Sequence, residues 1–525
     1  MSTTRAVWLF LFVLTAIRLA LLSATALYPD EAYYWLWSQR PALSYFSKGP
    51  GVAFAIRSST AIFGDNEFGV RFWSPILAAG TSLLLYYFAQ RIFSAAAAFW
   101  TVVFANVLPI FNIGSVVMTI DPLSIFFWVA ALYTFWLALE RSPNFSWYWP
   151  LTGLLIGLGF LCKYTNALQL ISIMIVLALV PRLRREFARP NLYLLLSVFL
   201  ICTLPPIIWN AQRNWVTLAH LRSRGSLEQA PGFHPSELLS FLGMHFVTYS
   251  PLLFLGLAWA VIAKCRRMNQ QFKSLYLLWF GLPVFAFYTL LSFNKAALAN
   301  WDALALPSFG VLAVSYWRER AASRAHVGVW AGIAFGIGLI MSLLAVDSDI
   351  LRSAGFHLPW REPSDRMRGW ISATAAVEKS RNDFEAKLGQ RVFLIADERE
   401  RASEISFYLR DKRVEGEGHP PVYITESQDM QNQFSFWPRY DEFVAAPANA
   451  RPAENEVYTE EQGVNAFIGR SALYIQGGKG ENLPRNIRSA FQRTEHLATI
   501  EVRRFGRVVR ELQVYACYNY RTLPL

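Results

Sequence analysis

The sequence predicts a polytopic α-helical membrane protein that carries a small α/β domain outside the membrane. Three observations support this fold class. Of the 525 residues, 54% are hydrophobic and only 16% are charged, whereas a soluble protein carries about a quarter charged residues. Many apolar runs approach the ~20 residues that a helix needs to cross a bilayer. After residue 346 the apolar runs give way to short segments of alternating character.

Apolar windows predict about eleven spanning helices. We place them near residues 7–27, 71–90, 95–113, 121–139, 148–162, 164–181, 191–209, 238–263, 273–292, 300–316 and 327–346. The first is expected to be a retained helix rather than a cleaved signal peptide, because Arg18 interrupts a long apolar core. The two short windows beside Lys163 are expected to be either spans, half-helices or a re-entrant pair.

The basic residues support a topology. The net charge is +12, but the charges gather in short clusters between apolar runs, which is typical of inner loops and not of a nucleic-acid face. With the N-terminus inside, the clusters at 181–190, 264–273 and 317–324 fall on inner loops. The long loops 28–70 and 210–237 hold fewer basic residues. We therefore predict a cytoplasmic N-terminus and, for an odd number of spans, an external tail.

The domain organisation follows from this pattern. Residues 1–346 are predicted to form the transmembrane domain and residues 347–525 the extracytoplasmic α/β domain. Within the tail, "VFLIADERERASEISFYL" predicts a strand, a turn and a helix. The alternating residues on both sides of "RFGR" predict a β-hairpin.

Two adjacent carboxylates, Asp30 and Glu31, follow the first apolar run. They could be a helix cap or solvated interfacial residues. They could also be a general base and a neighbour that holds a substrate or metal. Because the predicted topology places them at the outer surface, both interpretations stay open at this point.

Ionisable residues near membrane segments are costly and therefore functional candidates. Lys48 lies in a Gly/Pro loop, where an ammonium suits a phosphate. Asp121 begins a helix as part of Asp-Pro, and could be only a helix start. Lys163, between two apolar runs, is expected to be paired, to snorkel or to hold an anion, and we favour the anion. Lys295 adds a predicted outer cation.

Arg213 and His220 add further candidates in the second long outer loop. Converging cations beside an acidic pair favour chemistry on a phosphate-linked substrate that the membrane delivers. The chain has no Walker loop and no Rossmann glycine motif, so no soluble nucleotide is implied. The sequence contains no Cys/His cluster of the kind that binds zinc. We expect no cofactor, although a divalent metal stays possible.

Taken in order, several stretches resemble one family. They are "YPDEAYYWLWSQRPALSYFSKGPGVAF", "MTIDPLSIFFWVAALY", "FLCKYTNALQL", "LPPIIWNAQRNWVTLAHLRSRG" and "NKAALANWDALALPSFGVLA". The chain is similar to membrane glycosyltransferases of the GT-C fold. These include the dolichyl-phosphate-mannose–protein mannosyltransferases, the lipid A aminoarabinose transferases and bacterial family 39 relatives.

The resemblance implies an inverting transfer of a sugar from a polyprenyl-phosphate donor to a lipid, glycan or protein acceptor. It would take place at the outer face of a bacterial inner membrane. Asp30 would be the catalytic base and Glu31 its neighbour. Lys48, after the aromatic pair that includes Tyr45, and Lys163 would hold the lipid phosphate.

The remaining candidates are weaker matches to the family pattern. Asp121 matches its second acidic motif and Lys295 its lysine before an Asn-Trp pair, and Arg213 is a further substrate-binding candidate. Where relatives have Asp-His-Pro-Pro or Glu-Lys-Pro-Pro, this chain has Ser47-Lys48-Gly49-Pro50. Ser47 is a poor replacement for a metal-binding glutamate, and Gly49 is expected to loosen the loop.

Two other classes of protein compete with the enzyme. A transporter or flippase of a lipid-linked glycan would use the same cations without chemistry, but the sequence shows no pair of matching halves, which many transporters have. A sensor or scaffold with a glycan-binding outer domain would leave the acid–cation set unexplained.

Overall fold

The computed structural model describes residues 3–225, 232–295, 297–349, 352, 355, 363–442, 444–445, 464–478 and 482–525. The chain divides into two compact units. The membrane unit comprises Met1–Ala24 and Pro41–Pro359, and the C-terminal unit comprises Thr25–Arg40 and Trp360–Leu525. The sequence predicts that the whole stretch before residue 347 belongs to the membrane domain, whereas the structure assigns residues 25–40 to the C-terminal unit.

The described part of the membrane unit is helical. Its α-helices are Thr3–Leu21, Gly51–Phe63, Glu67–Arg71, Trp73–Ile92, Ala95–Val107, Pro109–Gly114, Ile120–Arg141, Tyr148–Cys162, Leu168–Leu179, Pro190–Ala211, Val216–Arg224, Pro235–Thr248, Pro251–Cys265, Phe272–Leu291, Leu306–Ala321 and Ala325–Val346. Short 3₁₀ helices are Tyr164–Ala167, Pro181–Ala188, Met268–Gln270 and Ala303–Ala305. Prolines at the first turn start several of them, where the missing N–H has no helical partner to lose.

Helices occupy all eleven predicted windows, but fewer are long enough to be counted as spans. Among the described residues, six helices can cross a membrane by length and composition, or up to eight if each of two bent pairs is one span. Three further apolar helices have 10–17 residues. Counting apolar windows gives about eleven spans because each apolar helix produces a window, whether it is long, short or broken.

One helix forms the centre of the membrane unit. Every residue from Leu306 to Tyr316 is buried. A methyl group on Gly310 would lie 2.8 Å from a ring carbon of Phe104, so the absence of a side chain lets the neighbouring helix approach closely. This burial fixes the segment just before Leu306, which carries part of the polar cluster described below.

The C-terminal unit is a small α/β domain, as predicted. Its strands are β1 (Phe393–Ala396), β2 (Tyr423–Ile424), β3 (Val444–Ala445), β4 (Val464–Asn465), β5 (Ala472–Gly477), β6 (Phe491–Arg504) and β7 (Arg507–Tyr520). Its α-helices are Pro29–Ser38, Trp370–Leu388, Arg399–Tyr408 and Arg485–Ala490, with 3₁₀ turns at Pro363–Met367 and Gln433–Phe436.

The main sheet has the order β2-β1-β5-β7-β6, and β3 pairs with β4 separately. β1 runs parallel to β2 and β5, whereas β7 is antiparallel to β5 and β6. The predicted hairpin turn is confirmed: Phe505 and Gly506 both have positive φ, at 48° and 76°. Glycine adopts this conformation without strain, which explains its position in "RFGR".

Residues 25–40 belong to this unit because their aromatic side chains pack into it. Tyr33 stacks on Phe434 at 6.1 Å, and its hydroxyl accepts a hydrogen bond from the Gln433 amide at 2.7 Å. Trp35 meets Phe407 edge-on at 5.0 Å. The aromatic run after the first apolar segment therefore forms part of a domain core.

Candidate functional site

A buried ion pair lies where two apolar helices of the membrane unit meet. Helix Tyr148–Cys162 ends at Lys163, whose backbone is extended, and a 3₁₀ turn follows. The Lys163 ammonium lies 2.9 Å from Asp121 Oδ1, with 9% and 21% of the two side chains exposed. The break after this helix therefore places Lys163 in the protein interior, where the Asp121 carboxylate compensates the charge of the ammonium.

The ammonium has a full set of hydrogen-bond partners. Besides Asp121, it donates to the carbonyl oxygens of Asn300 and Trp301, at 3.4 Å each. The Asn300 amide donates to the other oxygen of Asp121 at 3.0 Å. Since an ammonium has three N–H groups, an anion reaches Lys163 only by replacing one of these acceptors.

The Lys48 loop packs on the same helix break. Methyl groups on Gly49 or Gly51 would overlap Leu161 or Cys162, the two residues before Lys163. From the sequence, Gly49 is expected to loosen the loop. Instead Gly49 is buried, and its missing side chain permits a close approach between the loop and the helix end.

Hydrogen bonds hold the loop in place. The Ser44 hydroxyl lies 3.0 Å from the hydroxyl of Tyr164, and the Tyr45 backbone amide donates to the Lys48 carbonyl at 3.0 Å. Tyr45 is fully buried, whereas Lys48 is half-buried. The structure thus brings the segments of Lys48, Lys163 and Asp121 together, and their action on one ligand stays a prediction.

The other predicted cations lie in different surroundings. Lys295 is exposed. Arg213 is half-buried and its guanidinium stacks on Trp209 at 4.6 Å. The His220 ring lies 4.5 Å from Phe46 in the Lys48 loop, so the second long loop does reach this region. The roles of Lys295 and Arg213 in substrate binding stay predictions.

Asp30 and Glu31 begin helix Pro29–Ser38 of the C-terminal unit and have contrasting environments. The Glu31 side chain is fully buried and accepts the Tyr28 amide at 2.8 Å, which caps the helix. The Asp30 carboxylate is 36% exposed and lies 3.6 Å from Arg399. Glu31 therefore has a structural task, whereas Asp30 is open to a ligand. Their catalytic roles stay predictions.

Sequence reasoning missed a buried carboxylate of the membrane unit, that of Asp302. Asp302 is 1% exposed and contacts His245 and Tyr249. Asp302 lies in one of the stretches that carry the family resemblance, and His245 and Tyr249 lie in the predicted span 238–263. A single sequence gives no signal for a pairing over more than fifty residues. Asp302 itself could have been found only from the cost of an ionisable residue inside a predicted span.

The next question is whether the described residues could hold a metal ion. Among the described residues, no group of three or more His, Cys, Asp or Glu side chains is placed to hold a metal ion. Ser47 stands in the Lys48 loop, where relatives were expected to have a glutamate. Whether the protein uses a divalent metal stays a prediction from sequence.

The comparisons with known proteins agree with the predicted class. Residues 47–209 match the family model "Dolichyl-phosphate-mannose-protein mannosyltransferase". The lipid A galacturonosyltransferase RgtD of Rhizobium johnstonii is 26% identical over 424 residues, which cover 79% of this chain and 85% of the relative. The undecaprenyl phosphate-alpha-4-amino-4-deoxy-L-arabinose arabinosyl transferase of Erwinia tasmaniensis is 28% identical over 60% of this chain and 59% of that protein.

Solved structures show the fold. The apo crystal structure of ArnT from Cupriavidus metallidurans matches with a TM-score of 0.61 and 16% identity over 98% of both chains. The structure of the same protein bound to undecaprenyl phosphate matches with a TM-score of 0.60. The predicted GT-C fold, with an α-helical membrane part and a small C-terminal α/β domain, is confirmed.

Proposed function

Starting from the GT-C glycosyltransferase fold, we propose that this chain transfers a sugar from undecaprenyl phosphate to lipid A. The observation that carries the proposal is the match to RgtD, a lipid A galacturonosyltransferase, over 85% of its length. The arabinosyl transferase relatives, whose name specifies an undecaprenyl phosphate donor, support the donor class. This class also accounts for the polar cluster that the membrane unit maintains at an energetic cost.

The proposed reaction is an inverting substitution at the anomeric carbon. An acceptor oxygen forms the new bond, the bond from the anomeric carbon to the phosphate oxygen breaks, and undecaprenyl phosphate leaves. Asp30 takes the acceptor proton. Its partly exposed carboxylate suits this role better than Glu31, whose buried carboxylate is used as a helix cap.

The departing phosphate needs positive charge, which we assign to Lys48 and Lys163. Lys48 lies in a half-buried loop fixed by Gly49 and Gly51. Lys163 already has three acceptors, so its participation requires that the phosphate replace Asp121 or one carbonyl. Asp121 would then act as an internal substitute for the phosphate in the absence of donor.

For the transferred sugar we favour a uronic acid over an aminopentose. The galacturonosyltransferase match covers more of this chain than the arabinosyl transferase match, 79% against 60%. A hexosyl rather than a pentosyl transfer is therefore proposed.

A reconstituted assay tests the proposal. The purified protein in proteoliposomes is incubated with lipid A and undecaprenyl phosphate linked either to galacturonic acid or to 4-amino-4-deoxy-arabinose. Mass spectrometry of lipid A should show the addition of one uronic acid. Addition of the aminopentose alone would overturn the sugar assignment, and unmodified lipid A with both donors would overturn the function. Donor movement between leaflets without transfer would favour a flippase.

We also propose a cytoplasmic N-terminus and an extracytoplasmic C-terminal unit, in the inner membrane of a bacterium. The distribution of lysine and arginine over the predicted loops supports this orientation. Alkaline phosphatase fused after Leu525 should be active in cells, because it folds outside the cytoplasm. An inactive phosphatase fusion together with a fluorescent cytoplasmic reporter at the same position would reverse the orientation.

A further inference from the structure

A second polar cluster of the membrane unit surrounds Asp302. Its carboxylate lies 2.9 Å from His245 Nε2 and accepts a hydrogen bond from the Tyr249 hydroxyl at 2.8 Å. His245 is fully buried, and Tyr249 and Asp302 are nearly so. His245 comes from helix Pro235–Thr248, and Asp302 precedes helix Leu306–Ala321. The cluster therefore connects two helices that are distant in sequence.

Hydrogen-bond counting defines how the cluster is held. His245 Nδ1 lies 2.7 Å from the carbonyl oxygen of Phe241, and since a carbonyl only accepts, Nδ1 donates. The other nitrogen faces an oxygen of Asp302, so a proton must lie between them, carried either by the imidazole or by the carboxyl group. Because the contact has a donor in both cases, it is a real hydrogen bond.

The cluster is directly connected to the Lys163 site through the backbone. Asn300 and Trp301, the two residues before Asp302, supply both carbonyl oxygens that accept from Lys163. The Tyr249 hydroxyl also lies 3.2 Å from the carbonyl oxygen of Ala299. Residues 299–302 are thus held by His245 and Tyr249 on one side and face the Asp121–Lys163 pair on the other.

We propose that His245, Tyr249 and Asp302 are positioning residues that fix the 299–302 segment and, through it, the Lys163 ammonium. The structural part of the proposal is that loss of the cluster displaces the Lys163 ammonium. The kinetic part rests on the proposed function: a displaced ammonium stabilises the leaving phosphate less well, so transfer slows although none of the three residues touches substrate.

Replacements of Asp302 separate positioning from a need for charge. In Asp302→Asn the side-chain amide can donate to a neutral His245 while its oxygen accepts from Tyr249, which preserves both contacts. In Asp302→Ala both contacts are lost. We expect kcat to fall by about a hundredfold in Asp302→Ala, the order of loss caused by a small misplacement, and to stay within about threefold of wild type in Asp302→Asn.

A labelling experiment tests the structural part without any transfer assay. Reductive methylation of the purified protein, followed by peptide mass spectrometry, reports how accessible Lys163 is. Labelling of Lys163 should rise severalfold in Asp302→Ala and stay at the wild-type level in Asp302→Asn. Lys379, an exposed lysine of the C-terminal unit, serves as the internal standard.

A matched pair of tyrosine variants covers the case in which Asp302→Ala does not fold. Tyr249→Phe removes a buried hydroxyl of the cluster, and Tyr276→Phe removes a buried hydroxyl that donates to the Leu132 carbonyl elsewhere in the unit. Lys163 labelling should rise in Tyr249→Phe only.

Each outcome is decisive. Equal losses in Asp302→Asn and Asp302→Ala, or equal Lys163 labelling in the two tyrosine variants, would overturn the positioning role. If the wild-type protein transfers no sugar, the proposed function fails, while the labelling result still decides whether the cluster positions Lys163.

Discussion

Lys163 Nζ lies 2.9 Å from Asp121 Oδ1, in a membrane unit where the lysine side chain is only 9% exposed. This contact joins the end of one apolar helix to the start of another. The sequence favours a bound anion over an ion pair as the partner of Lys163, whereas the structure shows the ion pair, with Asp121. If Lys163 holds the donor phosphate as we propose, that phosphate competes with Asp121 for the ammonium.

The first prediction concerns this pair. Removing one partner leaves a buried charge uncompensated, which lowers the free energy of unfolding by about 3–5 kcal/mol in fully buried pairs. Because the Asp121 side chain is 21% exposed, we expect a loss at the lower end of that range. Asp121→Leu and Lys163→Met should each lower the Tm in detergent, and the double variant should lose less than the sum. Additive losses would show that the two charges do not depend on each other.

The second prediction concerns the contact between the Lys48 loop and the helix end. Gly49→Ala places a methyl group against the backbone of Leu161, which cannot yield easily, so both the Tm and the transfer rate should fall. Gly336→Ala is the control, because a methyl group there meets no atom within 4 Å and alanine favours a helix. A Gly49→Ala variant as active and stable as Gly336→Ala would contradict the close packing.

The third prediction is a pH dependence in the C-terminal unit. Burial raises the pKa of Glu426 to about 8, although nearby Arg439 opposes the shift. Between the usual glutamate pKa and about 8, the folded form binds more protons at this site than the unfolded form does. Its contribution to stability is therefore present at low pH and is lost as the pH rises through 8.

Glu426→Gln should flatten this dependence, since a glutamine does not titrate. The check is the Tm of the full-length protein, followed by tryptophan fluorescence at several values between pH 5 and pH 9. A wild-type Tm that rises over this range, or an identical slope in wild type and Glu426→Gln, would argue against a protonated Glu426.

The sequence was sufficient for features that depend on local pattern. Apolar windows predicted where helices lie, and alternation around "RFGR" predicted the β6–β7 hairpin. The same local signals could not count the spans, because a window does not show that Pro235–Thr248 and Pro251–Cys265 meet at a sharp bend of 116°.

Features that depend on distant contacts were beyond the sequence. The Tyr33–Gln433 hydrogen bond joins residues 400 positions apart, and an aromatic run gives no sign of whether it faces lipid or a domain core. In the candidate site, Lys48, Asp121 and Lys163 were predicted from the cost of charge in membranes. The same cost could have singled out Asp302 inside the predicted span 300–316, but its pairing with His245, 57 residues away, has no signal in the sequence.

The central claim is that Asp30 takes the acceptor proton during transfer from a lipid-linked sugar, and one comparison tests it most directly. Transfer to lipid A and binding of the undecaprenyl-phosphate donor are measured for wild type, Asp30→Asn and Asp383→Asn, an exposed aspartate of the same unit. We predict that Asp30→Asn binds donor normally but transfers about 10²–10⁴ times more slowly, while Asp383→Asn behaves as wild type. Wild-type transfer by Asp30→Asn would contradict the account.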